Sequence, residues 1–213
     1  MPAFLVLPRS CGNLGSSGVL VPTQEIERRW LASLSGSPEG AAERMVQGYF
    51  STGSPAIRIR MIDDTTYIVT FKSGGGLVRA EVEVPLDSVK GADVLAMSSH
   101  TVEKTRYTVD DWEVDIFHGP LEGLVIVERE FPSEAAANGP LPPFPSFIHQ
   151  PIEITGEKEW SNQALAFMAN DEASAAVRRA QRLLATGRAG PRGKRPSYTL
   201  EGGDSLRDDG DFD

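Results

Sequence analysis

Acidic and basic residues recur at every second position in seven segments of this 213-residue sequence, and each segment otherwise alternates with apolar residues. Side chains at positions i and i+2 of a β-strand project from the same face. Each segment therefore carries charge on one face and apolar side chains on the other. The charged positions are Glu25, Glu27 and Arg29; Arg58 and Arg60; Lys72; Arg79, Glu81 and Glu83; Lys104 and Arg106; Glu113 and Asp115; and Glu128 and Glu130.

The residue types on these charged faces indicate a phosphate site that also uses metal. Arg and Lys bind phosphate oxygens through charge-assisted hydrogen bonds. Carboxylates repel phosphates unless divalent cations bridge the two, and Mg²⁺ is commonly held by one or two carboxylates together with phosphate oxygens. The eight acids and seven bases carry a net charge of −1. Two divalent cations would bring the set to about +3, which suits a triphosphate.

Seven strands and three helical segments must position these charges. Helices are predicted over Leu86–Met97, Glu134–Asn138 and Asn162–Leu184, and the proline-rich segment Asn138–Pro151 is predicted to be a loop. The alternation predicts strands over Thr23–Leu31, Ala56–Ile62, Thr66–Lys72, Leu77–Val84, Thr101–Val109, Trp112–His118 and Gly123–Phe131.

The strands admit two arrangements. A solvated charged face, with cross-strand salt bridges of roughly 0.2–1 kcal/mol per pair, explains most charge patterns of this kind. These faces, however, use Glu and Arg almost exclusively, and acids and bases are concentrated in different strands. A sheet of this many strands tends to curl and close. Closure with the apolar face outward, under helices, would place the charges inside, so we expect an α+β fold built on a closed antiparallel barrel.

Composition limits the remaining possibilities. Residues 1–22 are rich in Gly, Ser and Pro, and residues 187–213 are rich in charge, which predicts flexible ends around one domain at 23–186. The net charge of −9 argues against non-specific nucleic-acid binding. Cys11 is the only cysteine, which excludes an internal disulfide framework. No apolar run reaches the roughly 18 residues of a membrane span, so we expect a cytoplasmic protein.

The segment Glu25-Ile-Glu-Arg-Arg29 resembles the ExExK signature of the CYTH, or triphosphate tunnel metalloenzyme, superfamily. Further motifs resemble that superfamily in order, from about Thr23 to about Ala166. They are Gln47–Phe50, Ile57–Arg60, Lys72, Glu81–Glu83, Glu103–Tyr107, Trp112–Gly119, Val127–Glu130, Thr155–Gly156 and Ser161–Leu165. The resemblance implies an eight-stranded antiparallel tunnel, dependence on Mg²⁺ or Mn²⁺, and hydrolysis or cyclisation of triphosphates. The short bacterial-type tripolyphosphatases look closest.

The resemblance also implies roles for individual residues. Glu25, Glu27 and Arg29 would be catalytic, and metal would be held by Glu25 and Glu27 with Glu128 and Glu130. Four tunnel acids could be ligands or could orient the basic residues: Glu81, Glu83, Glu113 and Asp115. The substrate would contact Arg58, Arg60, Lys72, Lys104, Arg106 and Tyr49. The C-terminal helix could close one end of the tunnel or pack on its outside.

Three functions agree with these residues. The first is a metal-dependent hydrolase of tripolyphosphate or another triphosphate, whose partner is a small anionic substrate. The second is a class IV-type adenylate cyclase, although no base-reading motif is legible. The third is a tunnel that binds polyphosphate or nucleotide without turnover, because Arg29 replaces the signature lysine.

Replacing Arg29 by Lys tests that departure. Lysine carries a compact charge where arginine is planar and bulkier. If arginine is a handicap, Arg29→Lys should raise tripolyphosphatase turnover, and a tenfold gain would be about 1.4 kcal/mol of transition-state stabilisation. The measurement is kcat and KM of both proteins on one panel of triphosphates. Identical kinetics on every substrate would show that position 29 does not tune the chemistry.

Overall fold

The structure, a computed structural model, describes residues 23–75 and 77–187. The predicted flexible extension at 1–22, with Cys11, and nearly all of the predicted charged tail at 187–213 lie outside the described residues. Among the described residues, no helix is both long enough and apolar enough to cross a membrane.

Nine strands form one antiparallel sheet within the described residues. Eight of them close into a barrel in the order β5-β4-β3-β2-β6-β7-β8-β1, because β1 also pairs with β5. The predicted closed antiparallel barrel is therefore confirmed. The strands are β1 (Thr23–Leu34), β2 (Ala41–Tyr49), β3 (Ala56–Ile62), β4 (Thr66–Gly75), β5 (Val78–Leu86), β6 (His100–Val109), β7 (Trp112–Phe117), β8 (Val125–Glu130) and β9 (Ile148–Glu153).

The charged faces point into the barrel and the apolar faces point outward. On one side, outward-facing Trp30 and Trp112 pack edge to face and are covered by Phe144 of the proline-rich segment. On another side, α1 (Ser88–Ala96) covers the outward residues of β3 and β4. These contacts bury outward-facing apolar side chains on two sides of the barrel.

One end of the barrel is closed by an apolar cluster. Leu31, Phe117 and Ile126 continue the inward faces of β1, β7 and β8 beyond the last charged residue. They pack with residues of the C-terminal helices α3 (Asn162–Ala166) and α4 (Asn170–Thr186). The helices therefore close this end, which answers the question that the sequence left open.

Three sequence expectations need correction. β2 was not among the predicted strands, because its apolar residues face both ways: Met45 lies inward and Val46 outward. β9 lies partly inside the predicted loop Asn138–Pro151, and it pairs with the part of β1 that lies beyond the residues paired with β5. The predicted helix Asn162–Leu184 is broken into α3 and α4.

The two other predicted helices, over Leu86–Met97 and Glu134–Asn138, are present as short helices. Asp87 caps α1 by accepting a hydrogen bond from the Lys90 amide at 3.1 Å. Ser133 caps α2 (Glu134–Asn138) through the Ala136 amide, also at 3.1 Å. The helix break has a local cause as well, because the Glu172 carboxylate accepts from the Ala169 amide at 2.9 Å and starts a new helix there.

Substituting Gly91 tests the packing of α1 on the barrel. A Cβ at this position would lie 2.2 Å from the Tyr67 ring. Gly91→Ala should therefore destabilise the protein by about 1–3 kcal/mol through overpacking, although alanine normally stabilises a helix interior relative to glycine. Thermal unfolding measures the effect, with the exposed neighbour Asp93→Ala as control. A rise in melting temperature for Gly91→Ala would contradict this packing.

Candidate active site

The barrel encloses a cavity of about 1680 Å³ whose wall carries most of the charged residues singled out from the sequence. Fourteen of the sixteen residues of the charge pattern and the resemblance line it: Glu25, Glu27, Arg29, Tyr49, Arg58, Arg60, Lys72, Arg79, Glu81, Glu83, Arg106, Glu113, Glu128 and Glu130. The remaining two, Lys104 and Asp115, are fully buried and do not line the cavity. Lys104 was expected to touch the substrate, and the structure places it behind the wall instead.

Lys72 and Arg79 enclose the first acidic pair. Strand pairing sets Glu25 beside Arg79 and Glu81 beside Lys72. Lys72 Nζ lies 3.0 Å from Glu25 Oε2 and 3.1 Å from Glu81 Oε2, and Arg79 Nη2 contacts Glu27. Burial alone raises the pKa of Glu25, but Lys72 and Arg79 outweigh it and lower the pKa to about 2. This carboxylate is therefore held ionised by two cations.

Arg58 and Arg60 form the second group with acids of β5. Arg60 Nη2 donates to Glu83 Oε1 at 2.8 Å, and Arg58 Nη2 donates to Thr70 Oγ1 at 3.2 Å. The Nε–H groups of both arginines are buried and have no hydrogen-bond partner among the described residues. Buried donors without partners are unfavourable and uncommon. A ligand with several oxygen acceptors would satisfy them.

Arg29 and Arg106 form the third group around Glu128. Arg29 Nε donates to Glu128 Oε1 at 2.7 Å, and its Nη2 donates to the Trp160 carbonyl at 3.1 Å. Arg106 Nη2 donates to Glu128 Oε2 at 2.6 Å. Burial raises the pKa of Glu128, but the charges of Arg29 and Arg106 outweigh it and hold the pKa well below its usual range. Arg29 therefore ties β8 to the segment that leads into α3.

Glu113 and Glu130 form an acidic side of the wall. Burial raises the pKa of Glu130, and the charges of Glu113 and Glu25 raise it further. Burial also raises the pKa of Glu113, and Arg106 opposes this effect only in part. Carboxylates that repel one another in this way favour a nearby cation.

The donor chemistry fits hard divalent cations. The cavity offers carboxylate oxygens, which are the ligands these ions prefer. In residues 23–75 and 77–187, no three acidic, histidine or cysteine side chains converge closely enough to form a complete metal site by themselves.

Tyr49, a predicted substrate contact, lines the cavity, and Gln47 and Arg79 add to the predicted site. The Tyr49 hydroxyl donates to Gln47 Oε1 at 3.1 Å, and burial raises the Tyr49 pKa. Gln47 is buried on β2, which the alternation did not reveal. Arg79 was part of the charge pattern, but the resemblance gave it no role, and its place beside Glu25 and Glu27 assigns it to the wall.

A closed antiparallel barrel that lines its cavity with paired cations and carboxylates defines a charged-tunnel protein. The chain is 40% identical over 150 residues to an inorganic triphosphatase from Nitrosomonas europaea, a match that covers 67% of this chain and 96% of that protein. An inorganic triphosphatase from Acetivibrio thermocellus is 30% identical over 152 residues, covering 67% of this chain and 92% of that protein.

A solved crystal structure of an inorganic triphosphatase is 34% identical, covers 68% of this chain and 95% of that chain, and superposes with a TM-score of 0.50. A comparison with models of known protein families gives no match. The chain belongs to the family of CYTH-like inorganic triphosphatases.

Replacing Glu130 by Gln tests whether the acidic side of the wall is under repulsion. Removing one charge from a group of like charges should relieve strain, so the melting temperature should rise by roughly 1–2 °C at neutral pH. Glu122→Gln, an exposed carboxylate outside the cavity, is the matched control and should leave the melting temperature unchanged. A fall in the melting temperature of Glu130→Gln would show that the carboxylate is stabilising.

Proposed function

We propose that this chain hydrolyses inorganic triphosphate inside the barrel with the help of Mg²⁺ or Mn²⁺. The observation that carries the proposal is the wall itself, where guanidinium groups with unsatisfied buried donors stand among ionised carboxylates. The family membership supports the same reaction, since the named relatives are inorganic triphosphatases. The substrate class is a small polyanion.

The basic residues would hold the phosphate chain. Arg58 and Arg60 would each exchange a carboxylate partner for phosphate oxygens, which guanidinium groups bind in a bidentate manner. Lys72, on the neighbouring strand β4, would bind as a point charge. Because these cations already stand in place on rigid strands, the cost of ordering them on binding is small.

The acidic residues would hold the cation. Glu25 and Glu27 on β1, with Glu128 and Glu130 on β8, would supply its protein ligands, and β1 and β8 are directly paired. When bound, the cation would supply charge neutralisation along the phosphate chain. Displacement of Glu25 and Glu27 from Lys72 and Arg79 would leave those cations to face phosphate oxygens.

The reaction would be transfer of a terminal phosphoryl group to water. Such transfers depend mainly on positioning and on electrostatic stabilisation of charge on the phosphoryl oxygens. Arg29, oriented by Glu128 and the Trp160 carbonyl, would stabilise that charge as a catalytic residue. The cytoplasmic location expected from the sequence stays a prediction.

The test is phosphate release from tripolyphosphate, ATP and long-chain polyphosphate with Mg²⁺ and with Mn²⁺. We expect the highest kcat/KM on tripolyphosphate, loss of activity on chelation, and recovery when either metal is returned. Glu25→Gln should lower kcat/KM at least 100-fold, which is about 2.7 kcal/mol of transition-state stabilisation, and Glu122→Gln should change it little.

Each part of the proposal can fail separately. Full activity after thorough chelation would contradict the role of metal. Tight binding of tripolyphosphate without phosphate release would contradict hydrolysis and support a binding tunnel. Formation of cyclic AMP from ATP would identify a cyclase.

A further inference from the structure

The innermost ion pair of the barrel has no access to the cavity. The side chains of Lys104 and Asp115 are both 0% exposed, and Lys104 Nζ contacts Asp115 Oδ2. The Lys104 ammonium lies 5.6 Å from the centre of the Phe117 ring, which belongs to the apolar cluster that closes this end of the barrel. Neither side chain of this pair lines the cavity.

Asp115 accepts two hydrogen bonds from one edge of the Arg106 guanidinium. Arg106 Nε donates to Asp115 Oδ1 at 2.7 Å, and Arg106 Nη2 donates to Asp115 Oδ2 at 2.7 Å. Asp115 stands directly opposite Arg106 in the pairing of β6 with β7. This bidentate geometry fixes the plane of the guanidinium as well as its position.

The other edge of Arg106 meets the carboxylates of the cavity wall. Its Nη1 contacts Glu113, and its Nη2 donates to Glu128 Oε2 at 2.6 Å. Arg106, Glu113 and Glu128 all line the cavity, whereas Asp115 does not. The guanidinium therefore has an anchored buried edge and an edge turned towards the place where a ligand would lie.

We infer that Asp115 and Lys104 are a positioning pair that sets Arg106 for phosphate binding, and that Lys104 does not contact the substrate itself. The inference rests on the proposed function, because it assigns Arg106 to a phosphate ligand. Asp115 holds the arginine, and Lys104 neutralises Asp115, whose carboxylate would otherwise bring one more negative charge to the wall behind the phosphates. Lys104 and Arg106 lie two positions apart on β6 and therefore have different roles. Arg106 binds the phosphate, and Lys104 supports Arg106 through Asp115.

The experiment compares the pair in two backgrounds. Lys104→Met, Asp115→Asn and the double variant are each made in the natural sequence and in Arg106→Ala, and kcat, KM and the tripolyphosphate Kd are measured. In the natural background, each single change should lower kcat/KM about 10- to 100-fold, and the double change should be no more than about threefold worse than the poorer single one. In Arg106→Ala, the same changes should matter less than about threefold.

The matched control is the exposed ion pair of Lys90 with Asp87, whose charged atoms lie 3.0 Å apart outside the barrel. Lys90→Met with Asp87→Asn should leave kcat and KM unchanged. A Lys104→Met loss that persists in full in Arg106→Ala would overturn the inference, because it would mean that Lys104 acts on the substrate without Arg106.

Two further outcomes are also decisive. If Asp115→Asn does not fold, the double variant, which removes both charges together, still gives the comparison between backgrounds, with melting temperature as the check on folding. If the natural protein binds tripolyphosphate but does not hydrolyse it, the proposed function fails while the Kd values still test the positioning pair. A protein that hydrolyses tripolyphosphate and shows equal losses in both backgrounds would contradict the inference alone.

Discussion

The structure depends on mutual neutralisation of charges inside a closed barrel. An isolated charge in a protein interior is very unfavourable, and breaking a buried pair by removing one partner typically costs about 3–5 kcal/mol. Every arginine and lysine singled out in this interior has a carboxylate within 4 Å. Opposite charges on neighbouring strands make this pairing possible, as in Glu25 with Arg79, Lys72 with Glu81 and Arg106 with Asp115.

The same pairing explains how the interior can be both stable and reactive. The carboxylates occupy the positions around each cation that phosphate oxygens would take, and the cations occupy the positions around the acids that metal would take. Binding would therefore replace one set of opposite charges by another without leaving a charge alone. The apolar cluster of α3, α4 and the barrel end supports this arrangement, because it keeps water from the deepest pair, Lys104 and Asp115.

Much of the fold and of the wall could be predicted from the sequence, because spacing by two fixes which side chains share a face. The spacing could not show how deep in the barrel each side chain lies. Lys104 and Arg106 have the same spacing signal, yet one lies behind the wall and the other lines it, since the tilt of the strands and the plug of Phe117 decide the level of each residue. β2 lacks the alternation of polar and apolar residues at Met45 and Val46, because both faces of the strand are apolar there. β9 could not be predicted for a different reason. It pairs with the part of β1 that β5 leaves unpaired, and this edge exists only in the assembled sheet.

The most direct test of the exchange of partners is a crystal structure of the chain with tripolyphosphate and Mn²⁺, using anomalous scattering to place the metal. The account predicts phosphate oxygens within hydrogen-bonding distance of Arg58, Arg60 and Arg106 inside the barrel, and an anomalous peak beside Glu25 and Glu27. A triphosphate bound outside the barrel, with the interior ion pairs intact, would contradict it.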